Sequence, residues 1–103
     1  MKELERNKSE VIEMLNMINY LKEFRSLKDV HVSKITGINR RIFNYWRNGE
    51  FRRGMKNENL YVDFLSSLLY YYDNKFIEDD REKKFYNFIN KKYIEVRNEL
   101  DGK

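Results

Sequence analysis

Seven cationic side chains fall between residues 34 and 56 of this 103-residue chain: Lys34, Arg40, Arg41, Arg47, Arg52, Arg53 and Lys56, opposed there by Glu50 alone. An arginine guanidinium presents its N–H donors in a planar fork, which matches the paired acceptors of a phosphate or of guanine O6 and N7. Elsewhere the charges balance or run slightly acidic, so the whole formal net charge of +4 has this one address. A local basic patch on an otherwise balanced surface is the footprint of a polyanion-binding face. From charge alone, an ordinary solvated stretch accounts for it equally well.

Other chemistry finds little support. His31 is the only histidine and there is no cysteine, so a structural zinc site has no ligand set. His31 reads as a surface or helix-cap residue. Tyr70-Tyr71-Tyr72 invites a nucleophile reading, but tyrosine strand transfer also needs a histidine cluster or an Arg-His-Arg set, and one histidine supplies neither. Core or subunit packing is the better account of those rings. Glu78-Asp79-Asp80 reads as an acidic helix start, favoured by the helix dipole, rather than as a metal cluster. No Gly-rich phosphate loop, Ser-His-Asp set or CxxC occurs. We expect neither an enzyme nor a cofactor or metal.

The 41% hydrophobic and 16% aromatic content can fill one core, so a single folded domain over 1–103 is expected. Without cysteine, with only short apolar runs and with a polar Met-Lys-Glu-Leu-Glu start, the expected location is the cytoplasm, away from membranes. The chain has no Ala, Pro or Gln and is rich in residues of AT-rich codons, which points to a low-GC bacterium or a phage or plasmid within one.

Those basic side chains need helices to position them. Val11, Met14, Leu15, Ile18 and Leu21 recur at helical spacing and predict an amphipathic helix over 8–25, capped by Asn7 with Glu10 three residues on. A second, shorter helix begins at Ser26 and ends at Gly37, the residue that most readily takes a positive φ. Ile38 follows as an apolar plug, and Asn39 caps a helix over 39–48. On that helix Ile42, Phe43 and Trp46 lie on one side and Arg40, Arg41, Asn44 and Arg47 on the other, with Tyr45 at the border. Segment 50–62 reads as two short strands around a polar loop. Asp63 then caps a helix carrying Phe64, Leu65, Leu68, Leu69 and Tyr72. Across 68–78, helix followed by an Asp73-Asn74 turn is preferred over a hairpin. A last helix over about 80–100 carries Phe85, Ile89, Tyr93, Val96 and Leu100.

Segment 32–49, VSKITGINRRIFNYWRNG, resembles the helix-turn-helix of bacterial regulators, and more closely that of the MerR and excisionase type of winged helix. There, Lys-Leu-Thr-Gly-Val-Ser leads into Arg-Thr-Leu-Arg-Tyr-Trp and closes on Gly-Leu-Leu. Here the matching stretches are Lys34-Ile35-Thr36-Gly37-Ile38-Asn39, Arg41-Ile42-Phe43-Asn44-Tyr45-Trp46 and Gly49-Glu50-Phe51. Ser33 and Thr36 depart from the family's more apolar pattern, and no proline follows Gly49. The resemblance implies a mainly α fold with a small β-hairpin: helix-turn-helix over 26–49, wing over 50–62, C-terminal helical region over 63–103. It also implies double-stranded DNA as partner, with helix 39–48 in the major groove.

The recognition set is then Asn39, Arg40, Arg41, Asn44, Tyr45 and Arg47. Arg40 and Arg41 face base edges, Asn44 reads adenine or holds a phosphate, and Tyr45 either meets the DNA backbone or packs on the core. Lys34, Arg52, Arg53 and Lys56 are expected on phosphates, with wing side chains also able to enter the minor groove. The C-terminal helix either packs on the domain or pairs with a second protomer, giving a homodimer that reads two half-sites. The expected role is a transcriptional regulator. The alternatives are a relaxosome accessory or excisionase-like factor with its own protein partners, or a protein-interaction module such as a phage inhibitor. In size and make-up the chain is also similar to accessory proteins of clostridial conjugative plasmids.

Overall fold

Apolar side chains at three- and four-residue spacing, uninterrupted by proline, make most of the described residues helical. The computed structural model describes residues 2–54 and 59–102, with side chains from Asn7 onward. In chain order the helices are α1 (Lys2–Arg25), α2 (Asp29–Thr36), α3 (Arg40–Arg47), α4 (Leu60–Tyr72) and α5 (Asp80–Asp101). The contacts divide the chain into two compact units, Met1–Tyr61 and Val62–Lys103, with the boundary in the first turn of α4.

In the first unit α1, α2 and α3 pack pairwise on one another. α1 buries Val11, Met14, Met17, Ile18 and Leu21; α2 contributes Val32; the turn and α3 add Ile38, Phe43 and Trp46. Met17 takes the core place expected of Leu15, which is only half-buried. Two helix starts differ from expectation. α1 already runs from Lys2, so Asn7 lies inside it and caps nothing. α2 begins at Asp29 rather than Ser26, because Ser26 adopts a left-handed φ of 53° and Leu27 N–H returns to Lys22 O at 3.0 Å, closing α1. His31, expected at the surface or at a cap, is exposed, and its Nδ1 accepts the Lys28 N–H at 2.9 Å, satisfying a donor at the start of α2.

The second unit holds the rest of α4 and α5. α4 buries Val62, Phe64, Leu65, Leu68 and Tyr72, and α5 buries Glu82, Phe85 and Ile89. Tyr72 organises this unit. Its hydroxyl donates to the buried Glu82 carboxylate at 2.7 Å, and its ring meets Phe85 and Tyr86 edge-on at centroid distances of 6.4 and 5.6 Å. The acidic segment starts α5 as expected: Asp79 accepts the Arg81 and Glu82 N–H groups at 2.7 and 3.3 Å. Segment 68–78 is helix to Tyr72 and then turn.

The expected hairpin and wing are overturned. No strand occurs among the described residues; 51–54 are turns and Leu60-Tyr61-Val62 open α4. The reason lies in the spacing of Tyr61, Phe64, Leu65, Leu68 and Tyr72, all buried, whose helical repeat continues unbroken from Tyr61. Three residues read locally as a strand are the first turn of that helix, and Asp63 sits inside it instead of capping it. The fold class is all-α, not a winged helix. No helix among the described residues is long and apolar enough to cross a membrane.

Candidate nucleic-acid interface

α2, a three-residue turn and α3 form a helix–turn–helix whose geometry is fixed at both ends. At the closed end, Gly37 has φ +74° and its N–H bonds Ser33 O at 2.8 Å. The two residues that depart from the family pattern stitch this turn. Ser33 Oγ donates to Ile38 O at 2.6 Å, while Thr36 Oγ1 donates to Val32 O at 2.9 Å and accepts the Ile38 N–H at 3.2 Å. Ile38 is buried as the plug, and Asn39 caps α3 by accepting the Arg41 N–H at 2.9 Å.

At the open end an ion pair ties the first residue of α2 to the last of α3. Asp29 receives Arg47 Nη1 on Oδ2 at 2.7 Å and Arg47 Nη2 on Oδ1 at 2.9 Å, a bidentate pair. Lys22 Nζ of α1 adds a bond to Oδ1 at 2.9 Å, so one carboxylate joins three helices. The hydrogen bonds from Arg47, then from Lys22, hold the Asp29 carboxyl well below the usual carboxylate range even though partial burial opposes this. The same hydrogen bond with Asp29 raises the Arg47 guanidinium above its ordinary value.

With Phe43 and Trp46 buried, α3 turns Arg40, Arg41 and Asn44 to solvent. Among the described residues no carboxylate pairs with Arg40, Arg41, Lys34 or Arg52, all of which are exposed. Asn44 Oδ1 accepts Arg47 Nη1 at 3.2 Å, so its amide N–H groups remain the donors it can offer.

The chain after α3 folds back along it. Glu50 N–H returns to Tyr45 O at 2.8 Å, and Trp46 Nε1 donates to Arg53 O at 2.7 Å. The Arg53 guanidinium then lies 4.5 Å from the centroid of the half-buried Tyr45 ring. Gly54, at φ +79°, sits so close to Ile42 that a Cβ there would meet Ile42 Cγ2 at 3.1 Å. Arg52 and Arg53 therefore belong to a turn held against α3, not to a strand.

The expected recognition set is thus distributed unevenly. Arg40, Arg41, Asn44 and Arg47 share the outer face of α3; Asn39 spends its side-chain oxygen on the helix cap; Tyr45 serves as a platform for Arg53. Of the expected phosphate contacts, Lys34 lies in the last turn of α2, Arg52 and Arg53 follow α3, and Lys56 lies outside the described residues. Sequence reasoning missed Asp29. Its partner Arg47 is 18 residues away, and no local period signals that pairing. A lone acid at the start of a helix beside a basic segment was the one available cue.

Compared with protein-family models, curated proteins and solved structures, the chain matches none.

Proposed function

We propose that this protein binds double-stranded DNA at a specific site, laying α3 in the major groove. The observation that carries the reading is the split of α3 into two faces. Ile38, Phe43 and Trp46 anchor one to the body of the unit, while Arg40, Arg41 and Asn44 stand on the other without carboxylate partners among the described residues. Core packing does not need two adjacent arginines in the first turn, whereas base-edge recognition uses that position. Lys34, Arg52 and Arg53 border the same helix and supply phosphate contacts that hold it in register. Arg53 can do so while stacked on Tyr45, since its side chain remains 57% exposed. The role that fits first is transcriptional regulation, with plasmid transfer or excision as the other setting for the same binding.

The test is fluorescence anisotropy against duplexes tiling the DNA that flanks the coding sequence, with random duplex as control, across a salt series. A tile still bound at salt that releases the control supports the reading, and its position separates a promoter operator from an origin of transfer or attachment site. Equal binding to every tile and to the control refutes site specificity; no binding to any refutes the DNA reading.

A further inference from the structure

The Asp29–Arg47 pair has a chemical consequence beyond joining two helices. A guanidinium carries five N–H donors. In Arg47 the two that face each other across the end of the fork go to Asp29 Oδ2 and Oδ1, and the outer proton of Nη1 goes to Asn44 Oδ1. What remains is Nε–H together with the outer proton of Nη2. These two lie parallel along one edge of the plane, the edge that pairs with two adjacent acceptors. Three hydrogen bonds fix the plane of the group, so that edge has a set direction. Arg47 follows Arg40 by seven residues, two helical turns, and so lies on the same outer face of α3. Its side chain is 33% exposed.

We infer that Arg47 is a pre-oriented bidentate donor on the DNA-facing side of α3, and that Asp29 is the residue that positions it. The inference rests on the DNA-binding reading and adds to it which arginine is held rigid and by what. Arg40 and Arg41 have long side chains with no fixing partner among the described residues, so each loses rotamer freedom when it binds. Arg47 has already lost that freedom in the folded protein, and its free edge is matched to paired acceptors about as far apart as guanine O6 and N7 or two phosphate oxygens. Asp29 also screens the charge of Arg47 from loose, undirected attraction to phosphate. Arg47 therefore adds more to geometric selectivity than to general affinity. Lys22, on the same carboxylate, keeps Asp29 ionised and in place.

The experiment starts from the preferred duplex, selected with the wild-type protein from a randomised duplex pool. Each guanine is then replaced in turn by 7-deazaguanine, and each phosphate in turn by a methylphosphonate. Five proteins are compared: wild type, Arg47→Lys, Asp29→Asn, Asp29→Glu, and the exchanged pair Asp29→Arg with Arg47→Asp, which retains an ion pair at the same place. Far-ultraviolet circular dichroism and Trp46 fluorescence confirm that each is folded.

For the wild type, several substitutions weaken binding, and the one at the Arg47 contact does so by about 10- to 100-fold, the range for a good bidentate contact. A 7-deazaguanine identifies a base as the acceptor, and a methylphosphonate identifies the backbone. Arg47→Lys is expected to lose that affinity and become indifferent to the same substitution. Asp29→Asn should lose part of it, and Asp29→Glu should regain it. The exchanged pair forfeits the Lys22 bond and should melt several degrees below wild type while still folding, and it should lose the selectivity, which a merely structural tie would not do. An exchanged pair or Arg47→Lys that keeps wild-type affinity and the same sensitive position overturns the inference while leaving the DNA reading intact. A wild-type protein that enriches no duplex from the pool overturns both.

Discussion

Replacing Asp29 by Asn tests the geometry of the helix–turn–helix through its stability. The carboxylate accepts three charge-assisted hydrogen bonds of 2.7 to 2.9 Å from Arg47 and Lys22. Fully buried, such bonds contribute about 1.5–3 kcal/mol each. The three side chains here are 27–33% exposed, so solvent screening brings the total down to about 1.5 kcal/mol. In a unit of this size that corresponds to a fall in Tm of about 6–12 °C. Trp46 is the only tryptophan and lies buried in α3, so its fluorescence reads the melting of the first unit selectively. The pH dependence carries the mechanism. The folded protein holds Asp29 well below the unfolded value of about 3.9, so its contribution is complete above about pH 5. It is lost as the pH falls below about 4 toward the folded value. The gap between wild type and Asp29→Asn should therefore be full at pH 7 and shrink steadily toward pH 2.5, while Arg47 stays charged throughout. A gap of the same size at pH 3 and pH 7, or none at pH 7, would refute the reasoning.

Three further outcomes follow from local geometry. Ser26→Gly removes a side chain from a left-handed φ of 53° and should raise Tm in the fluorescence melt, by the equivalent of about 0.5–1 kcal/mol. Thr36→Val leaves the Ile38 N–H without its acceptor and should lower stability by about 1–3 kcal/mol in urea titration, more than Ser33→Ala, which removes a donor to a carbonyl. Tyr72→Phe takes a hydrogen bond from the buried Glu82 and should destabilise the second unit by about 1–3 kcal/mol, read by circular dichroism.

Much of the helix–turn–helix was legible because its signals are local. Gly37, Ile38 and Asn39 stand in a row, and each does one thing that neighbouring backbone demands: a left-handed turn, an apolar plug, a cap. The split of α3 into Phe43 and Trp46 against Arg40, Arg41 and Asn44 follows from the helical period alone. The wing was misread because a strand of three residues and the first turn of a helix look alike when the period is counted from Asp63; counting from Tyr61 joins the apolar set of α4 into one stripe. Ser33 and Thr36 looked like defects in a family pattern, and only the three-dimensional turn reveals the carbonyl and amide that they satisfy. Asp29 was out of reach for a different reason, since ion pairs across 18 residues depend on how three helices meet.

That last difference changes how the basic segment should behave toward DNA. Seven cations in the sequence suggest seven phosphate contacts, but the folded unit does not offer them equally. Arg47 shares its fork with Asp29, and Arg53 lies over Tyr45 with Glu50 3.7 Å away. If Arg40 and Arg41 read base edges, the phosphates are left mainly to Lys34, Arg52, Arg53 and Lys56. Each neutralised phosphate contributes about −0.9 to the slope of log K against log salt. The slope per bound chain should then be no steeper than about −4. A slope near −6 per chain, with stoichiometry measured independently, would place the α3 arginines on phosphates as well. Affinity would then be almost entirely electrostatic, and the preference for one sequence would have to come from the shape of the DNA rather than from its base edges.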